Sequence, residues 1–188
     1  ERLFHAWYYP FYYYGVIHGD PHLGNYTFQS NHDINLLDFG CVRKFSSHFV
    51  KGVLTLFYGL YENRPDDVAD AYKSWGFKDL THEKIEVLNL WAHMIYEPLM
   101  DDRVRFIQKD NRGLEGRHVA EKVFQELKRL GGVHPPREFV FMDRAAVGIG
   151  SAFMHLKAKL NWHELFMTLI QDFDEKTVEL NQKAVSIL

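Results

Sequence analysis

The fold of this chain is decided by two stretches of sequence, VIHGDPHLGN at residues 16–25 and INLLDFG at residues 34–40. In the first stretch, Asp20 and Asn25 stand five residues apart on a loop that follows a short apolar run. In the second, Asp38 comes directly after another apolar run. The two stretches therefore carry two carboxylates and one amide on segments that can meet in a single site.

The segment between these polar residues predicts a β-hairpin. Residues 26–29 and 34–37 have the composition of short strands, and the polar residues 30–33 between them suit a four-residue turn. Because a hairpin folds back on itself, its two outer ends lie side by side. The polar loop before the hairpin is thus expected to end next to Asp38.

These side chains suit phosphoryl transfer. Moving a γ-phosphoryl group depends mostly on positioning and on neutralising negative charge, usually through Mg²⁺, and Mg²⁺ prefers oxygen ligands. The carboxylate of Asp38 and the amide oxygen of Asn25 are therefore predicted to bind the metal, and Asp20 is predicted to face the acceptor hydroxyl. Gly40 belongs to the same cofactor-binding side, where it is expected to let the chain leave the site with either sign of φ.

The order His-x-Asp-x-x-x-x-Asn followed by Asp-Phe-Gly is that of the catalytic and metal-binding loops of protein kinases in outline. In detail, residues 18–25 resemble the UbiB-like (AarF-type, ABC1) atypical kinase family, whose loop typically reads His-Ala/Gly-Asp-Pro-His-Pro-Gly-Asn. Leu23 departs from that pattern, since the family usually has proline there. Residues 135–139 and 142–145 resemble the C-terminal segment of the same family and favour it over the aminoglycoside and choline phosphotransferases, whose loop is similar.

The resemblance implies a mainly α fold with a small β-hairpin (α+β), the C-terminal lobe of a protein-kinase-like fold, over residues 1–188. It assigns the catalytic loop to residues 18–25, the metal loop to residues 38–40 and a helical remainder to residues 46–188. The N-terminal lobe of such a kinase is expected to be absent from this chain, because only 17 residues precede His18. The chain alone is therefore expected to be inactive.

For the full-length protein the resemblance implies an ATP-dependent kinase or ATPase that binds ATP or ADP with Mg²⁺ and supports ubiquinone or isoprenoid-lipid metabolism. Asp20 is then the aspartate of the catalytic loop, with His18 and His22 bracing that loop, while Asn25 and Asp38 hold the metal. The partners implied are the nucleotide, the missing N-terminal lobe and a lipid or membrane surface. The implied location is cytoplasmic, or peripheral at an inner membrane, or mitochondrial if the protein is eukaryotic.

Three other interpretations stay open at the level of sequence. The first is a small-molecule phosphotransferase of the aminoglycoside or choline kind, and the second is a non-catalytic lipid-binding scaffold with a kinase-like shape. The third is a zinc site formed by His18, Asp20 and His22, with His32, Cys41 or His48 completing it. Since a helix is predicted to begin soon after Gly40, a small-molecule or lipid acceptor, or water, fits better than a protein substrate.

Length and composition bound the remaining possibilities. The 188 residues suit one domain, and a net charge of −3 without any basic tract gives nucleic-acid binding no electrostatic support. The single cysteine excludes an internal disulfide and fits a reducing compartment. No apolar run reaches the ~18 residues of a transmembrane helix.

Helix signals flank the hairpin on both sides. Residues 2–14 are rich in aromatic side chains and predict a buried central helix, kinked or restarted at Pro10, in preference to a surface for a lipid or quinone-like ligand. After the hairpin, Ser46 or Ser47, Pro65 and Thr81 are predicted to begin three successive helices. Three further helices are predicted at residues 119–130, 137–156 and 161–184.

Overall fold

The computed structural model describes residues 1–108 and 114–185. The predicted helical remainder also takes in residues 109–113 and 186–188, which lie outside the described residues. The elements run in the order α1 Arg2–Tyr14, β1 Val16–His18, β2 Tyr26–Phe28, β3 Ile34–Leu36, β4 Val42–Lys44, α2 Ser47–Tyr61, α3 Pro65–Ser74, α4 His82–Tyr96, β5 Val104–Phe106, α5 Leu114–Arg129, α6 Arg137–His155, β6 Lys159–Asn161, α7 Trp162–Ile170 and α8 Glu175–Val185. The predicted class is confirmed: the described chain is mainly α with small antiparallel strand pairs.

The hydrophobic core is built around α1. This helix continues through Pro10 as one element, and its buried residues are Leu3, Phe4, Trp7, Phe11 and Tyr12. Aromatic rings of α6 and α7 pack against it. The ring centroids of Phe153 and Trp162 lie within 6.4 Å of the Phe4 ring centroid. Burial of these large rings provides the main favourable contribution to folding.

The predicted hairpin is present, with a shorter turn. Strands β2 and β3 pair antiparallel with Tyr26 opposite Leu36 and Phe28 opposite Ile34. The Gln29 amide donates to the carbonyl of Asp33, so the pairing extends one step beyond the strands and leaves residues 30–32 as the turn. A second pair, β1 with β4, was not predicted from the sequence, and it brings the chain before the hairpin against the chain after it.

The helices after the hairpin largely follow the predicted signals. The side chains of Ser46, Thr81 and Asn161 accept amide hydrogen bonds at the starts of α2, α4 and α7. The prediction of one last helix over residues 161–184 is wrong, since α7 ends at Ile170 and α8 begins at Glu175. The Asp174 carboxylate accepts the amide of Thr177 and so caps a new helix. The predicted helical remainder, residues 46–188, also contains a short strand pair, β5 with β6.

Within residues 1–108 and 114–185, we find no helix whose length and hydropathy would let it cross a membrane.

Gly15 joins the central helix to β1, and we expect its replacement by alanine to destabilise the fold strongly. Its φ of 62° lies in the left-handed region, and an added Cβ would stand 2.6 Å from the main-chain oxygen of Phe45. The expected loss in the free energy of unfolding is about 2–4 kcal/mol, from backbone strain and overpacking together. Urea unfolding followed by circular dichroism measures it.

Gly131 provides the matched control for this change. Its φ of 89° is also left-handed, but an added Cβ would meet nothing within 4 Å. Gly131→Ala should therefore cost only the backbone strain, about 1–2 kcal/mol. Equal losses in the two variants would contradict the steric part of the argument.

Candidate active site

The polar loop at residues 18–25 and the Asp-Phe-Gly segment at residues 38–40 lie side by side because main-chain hydrogen bonds join the segments that carry them. The Leu37 amide donates to the carbonyl of Asn25 over 2.8 Å, and the Gly19 amide donates to the carbonyl of Cys41 over 2.9 Å. The β1–β4 pair continues this contact by setting His18 opposite Val42. The structure thus brings the two sequence motifs together.

His18 connects the two loops through its ring. Its Nδ1 accepts the amide of Asp20 at 3.2 Å, so the ring proton is assigned to Nε2, which donates to the main-chain oxygen of Asp38. The ring is buried, and the main-chain oxygen of His18 accepts the indole N–H of Trp7. His18 therefore ties both loops to each other and to the central helix.

Asn25 is held by Asp20. The Asn25 Nδ2 group donates to both the main-chain oxygen and the Oδ2 of Asp20, each at 3.1 Å. Because the amide nitrogen is engaged in this way, the orientation of the side chain is fixed and its Oδ1 is left for another partner. Tyr26, the next residue, anchors the segment by packing its buried ring on Trp7, with 5.4 Å between the ring centroids.

Asp38 is exposed at the end of β3. Its Oδ1 accepts the amide of Gly40 at 2.7 Å, which closes a tight turn. Gly40 was expected to use the freedom of glycine to adopt either sign of φ. The structure does not use that freedom, because the φ of Gly40 lies outside the left-handed region. An added Cβ would instead stand 3.2 Å from Asp38 Oδ1, so the glycine allows a close approach of the carboxylate.

His22 lies on the exposed side of the polar loop. Its Nδ1 accepts the amide of Gly24 at 3.1 Å, and its carbonyl accepts the amide of Asn25 at 2.9 Å. These bonds cap a short 3₁₀ turn at Leu23–Asn25. His22 thus supports the backbone that carries Asn25.

The zinc interpretation finds no support in this geometry. Both ring nitrogens of His18 are engaged in hydrogen bonds, as is Nδ1 of His22. Over residues 1–108 and 114–185, no group of three or more His, Cys, Asp or Glu side chains is arranged to hold a metal ion. A Mg²⁺ ion does not need such a group, because it is usually held by one or two protein oxygens together with phosphates and water.

A cavity of about 340 Å³ opens between the polar loop and α6. The loop contributes Asp20, Pro21 and His22 to its wall, and α6 contributes the other side. The residues from α6 that line it are Arg144, Gly148, Ser151, Ala152 and His155. Sequence reasoning missed these residues because they lie more than a hundred positions from the loop, and a single sequence carries no signal of that pairing.

Comparisons with known proteins point to one kinase-like family. Residues 1–72 match the model of the ABC1 atypical kinase-like domain. A curated relative, the Arabidopsis thaliana protein named Activity of BC1 complex kinase 8, chloroplastic, is 38% identical over 64 residues, which are 33% of this chain and 8% of that protein. No solved structure matches the chain. The resemblance predicted from the two motif stretches is thus confirmed.

Proposed function

We propose that this chain, whose first 72 residues match the ABC1 atypical kinase-like domain, supplies the catalytic and metal-binding loops of an ATP-dependent atypical kinase or ATPase. The observation that carries the proposal is the pair of hydrogen bonds by which the His18 ring joins the main-chain amide of Asp20 to the main-chain oxygen of Asp38. These bonds hold the acid proposed to face the acceptor in a fixed relation to the carboxylate proposed to face the metal. Catalysis of phosphoryl transfer consists largely of such positioning.

Asn25 and Asp38 are proposed to bind Mg²⁺ on behalf of ATP or ADP. The donor set fits the ion, because Asn25 offers an amide oxygen whose nitrogen is already anchored and Asp38 offers an exposed carboxylate. When bound, Mg²⁺ would neutralise charge on the phosphates. His18, His22 and Gly40 are proposed to act by positioning the residues that touch the ligands.

The acceptor is proposed to be a small molecule or a lipid headgroup, or water. Only six residues separate Gly40 from α2, and β4 occupies three of them, which leaves no long segment for docking a peptide. The cavity beside Asp20 offers space for a small acceptor next to the acid. A role in ubiquinone or isoprenoid-lipid metabolism, with the protein at a membrane periphery, follows from the family resemblance.

The nucleotide-covering lobe is proposed to lie outside residues 1–188. The side chains of Leu37 and Phe39, on either side of Asp38, are 58% and 62% exposed, so two exposed apolar groups flank the proposed metal ligand. Such groups suit coverage by another part of the same protein. The match to the curated relative, which spans 8% of that protein, leaves ample chain for such a lobe.

Nucleotide binding by the full-length protein that carries this chain tests the proposal. We expect Asp38→Asn to weaken Mg²⁺-dependent nucleotide binding by at least about tenfold, as measured by isothermal titration calorimetry with and without Mg²⁺. The control is Asp70→Asn, which should leave binding unchanged. Asp70 is an exposed carboxylate on α3, outside the proposed site. Mg²⁺-independent binding, or no nucleotide binding, would favour the lipid-binding scaffold instead.

A further inference from the structure

A second cavity, of about 420 Å³, lies inside the helical part of the chain. Residues of helices α1 to α7 line it, and none of the residues proposed for phosphoryl transfer is among them. Its wall is rich in aromatic rings, which include those of Tyr8, Tyr12, Tyr72, Trp75, Trp91 and Tyr96. The size and the apolar lining are those of a small-molecule site.

The backbone of α6 leaves this cavity open. Gly150 lines it, and a Cβ added there would meet no heavy atom within 4 Å. Well-packed cores contain few voids larger than a water molecule. Val147 and Ser151, which also line the cavity, are exposed on α6, so the cavity reaches the surface of the chain along that helix.

Asp143 places a carboxyl group in this apolar surrounding. Its Oδ1 accepts the indole N–H of Trp91 at 2.6 Å, and burial raises the pKa of the carboxyl above its ordinary value. No Lys, Arg or His among the described residues forms an ion pair with it, although Arg117 also lines the cavity. A carboxylate held in low dielectric without a cation is costly, and a ligand that supplies the cation relieves that cost.

We propose that this cavity binds an amphiphilic ammonium compound, with an apolar body among the aromatic rings and a single protonated amine at Asp143. The faces of tyrosine and tryptophan rings attract cations as well as apolar groups. The combination of one uncompensated carboxylate with an aromatic wall therefore selects a cationic amphiphile over a neutral or anionic one. This site is separate from the proposed nucleotide site and does not depend on phosphoryl transfer.

Two probes of equal length test the proposal on the full-length protein that carries this chain. Decylammonium carries the cation, and 1-decanol has the same apolar body without it. Isothermal titration calorimetry, below the concentration at which decylammonium forms micelles, should give at least tenfold tighter binding for decylammonium. Asp143→Asn keeps an oxygen for the Trp91 N–H and should abolish that preference, while Asp70→Asn should leave it intact.

Filling the cavity provides an independent variant. Gly150→Leu should remove binding of both probes while the melting temperature stays the same or rises, because the new side chain occupies open space in a helix. Equal affinities of the two probes for the wild type, an unchanged preference in Asp143→Asn, or retained binding in folded Gly150→Leu would each overturn the proposal. Absence of binding by both probes to the wild type would overturn it too. If Gly150→Leu does not fold, the comparison between Asp143→Asn and Asp70→Asn decides the question alone.

Discussion

Replacing Asp20 with asparagine is expected to lower the turnover of the full-length protein by about 10²–10⁴-fold, the usual contribution of a positioned general acid or base. Nucleotide affinity should stay close to that of the wild type. The reason is that Asp20 contacts Asn25 and His18 but is not itself proposed to hold the metal. An asparagine there can still accept the Asn25 Nδ2–H, and its main-chain bonds are unchanged.

The measurement is steady-state ATP turnover together with equilibrium nucleotide binding, on Asp20→Asn and Asp38→Asn in parallel. The two variants should separate, with Asp20→Asn losing turnover and keeping affinity and Asp38→Asn losing affinity. This separation distinguishes a catalytic acid from a metal ligand. Full turnover in Asp20→Asn would contradict its proposed role, whatever the effect of Asp38→Asn.

The convergence of the two motifs could be predicted because it depends on short-range structure. Asp20 and Asp38 are joined by a single hairpin, and a hairpin fixes the relation of its ends through its own pairing. The helix starts at Ser46, Thr81 and Asn161 were predictable for the same reason, since each cap bonds an amide three residues away. Local hydrogen bonds are encoded by neighbouring residues and can be inferred from one sequence.

Elements that depend on distant partners could not be predicted in this way. Strands β1 and β4 have three residues each, and they pair across the whole predicted hairpin, so no single turn in the sequence signals their pairing. The break between α7 and α8 lacks glycine and proline, and only the side-chain bond from Asp174 to Thr177 marks the new helix. The bracing role of His18 was expected from the family resemblance, but its bonding partner, the main-chain oxygen of Asp38, is known only from the structure.

Helix α6 was predicted from the sequence as a helix, but the two cavities that it lines were not. It closes the cavity beside Asp20 with Arg144 and His155, and it opens the apolar cavity through Gly150. Ser151 lines both cavities. One helix thus supports the proposed acceptor side of the active site and the proposed ammonium site, and its two nearby glycines have different surroundings.

Replacing Gly148 with alanine is expected to disturb the proposed active site, because the new side chain on α6 would push against the loop that carries Asp20. An added Cβ would lie 2.5 Å from Cγ and 3.1 Å from Cδ of Pro21. The proline ring is buried and directly follows Asp20, so the loop has to move away from α6. We expect turnover to fall by about 100-fold, the cost of misplacing a reacting group by roughly 1 Å, and the free energy of unfolding to fall by about 1–3 kcal/mol.

Gly150 lies two residues further along the same helix and separates the steric effect from helix propensity. Because a Cβ at Gly150 meets nothing within 4 Å, Gly150→Ala should stabilise the chain by about 0.5–1 kcal/mol through helix propensity alone. The two alanine variants should therefore change stability in opposite directions in urea unfolding. A Gly148→Ala protein that is as stable as Gly150→Ala and retains full turnover would show that α6 does not hold the catalytic loop through Pro21.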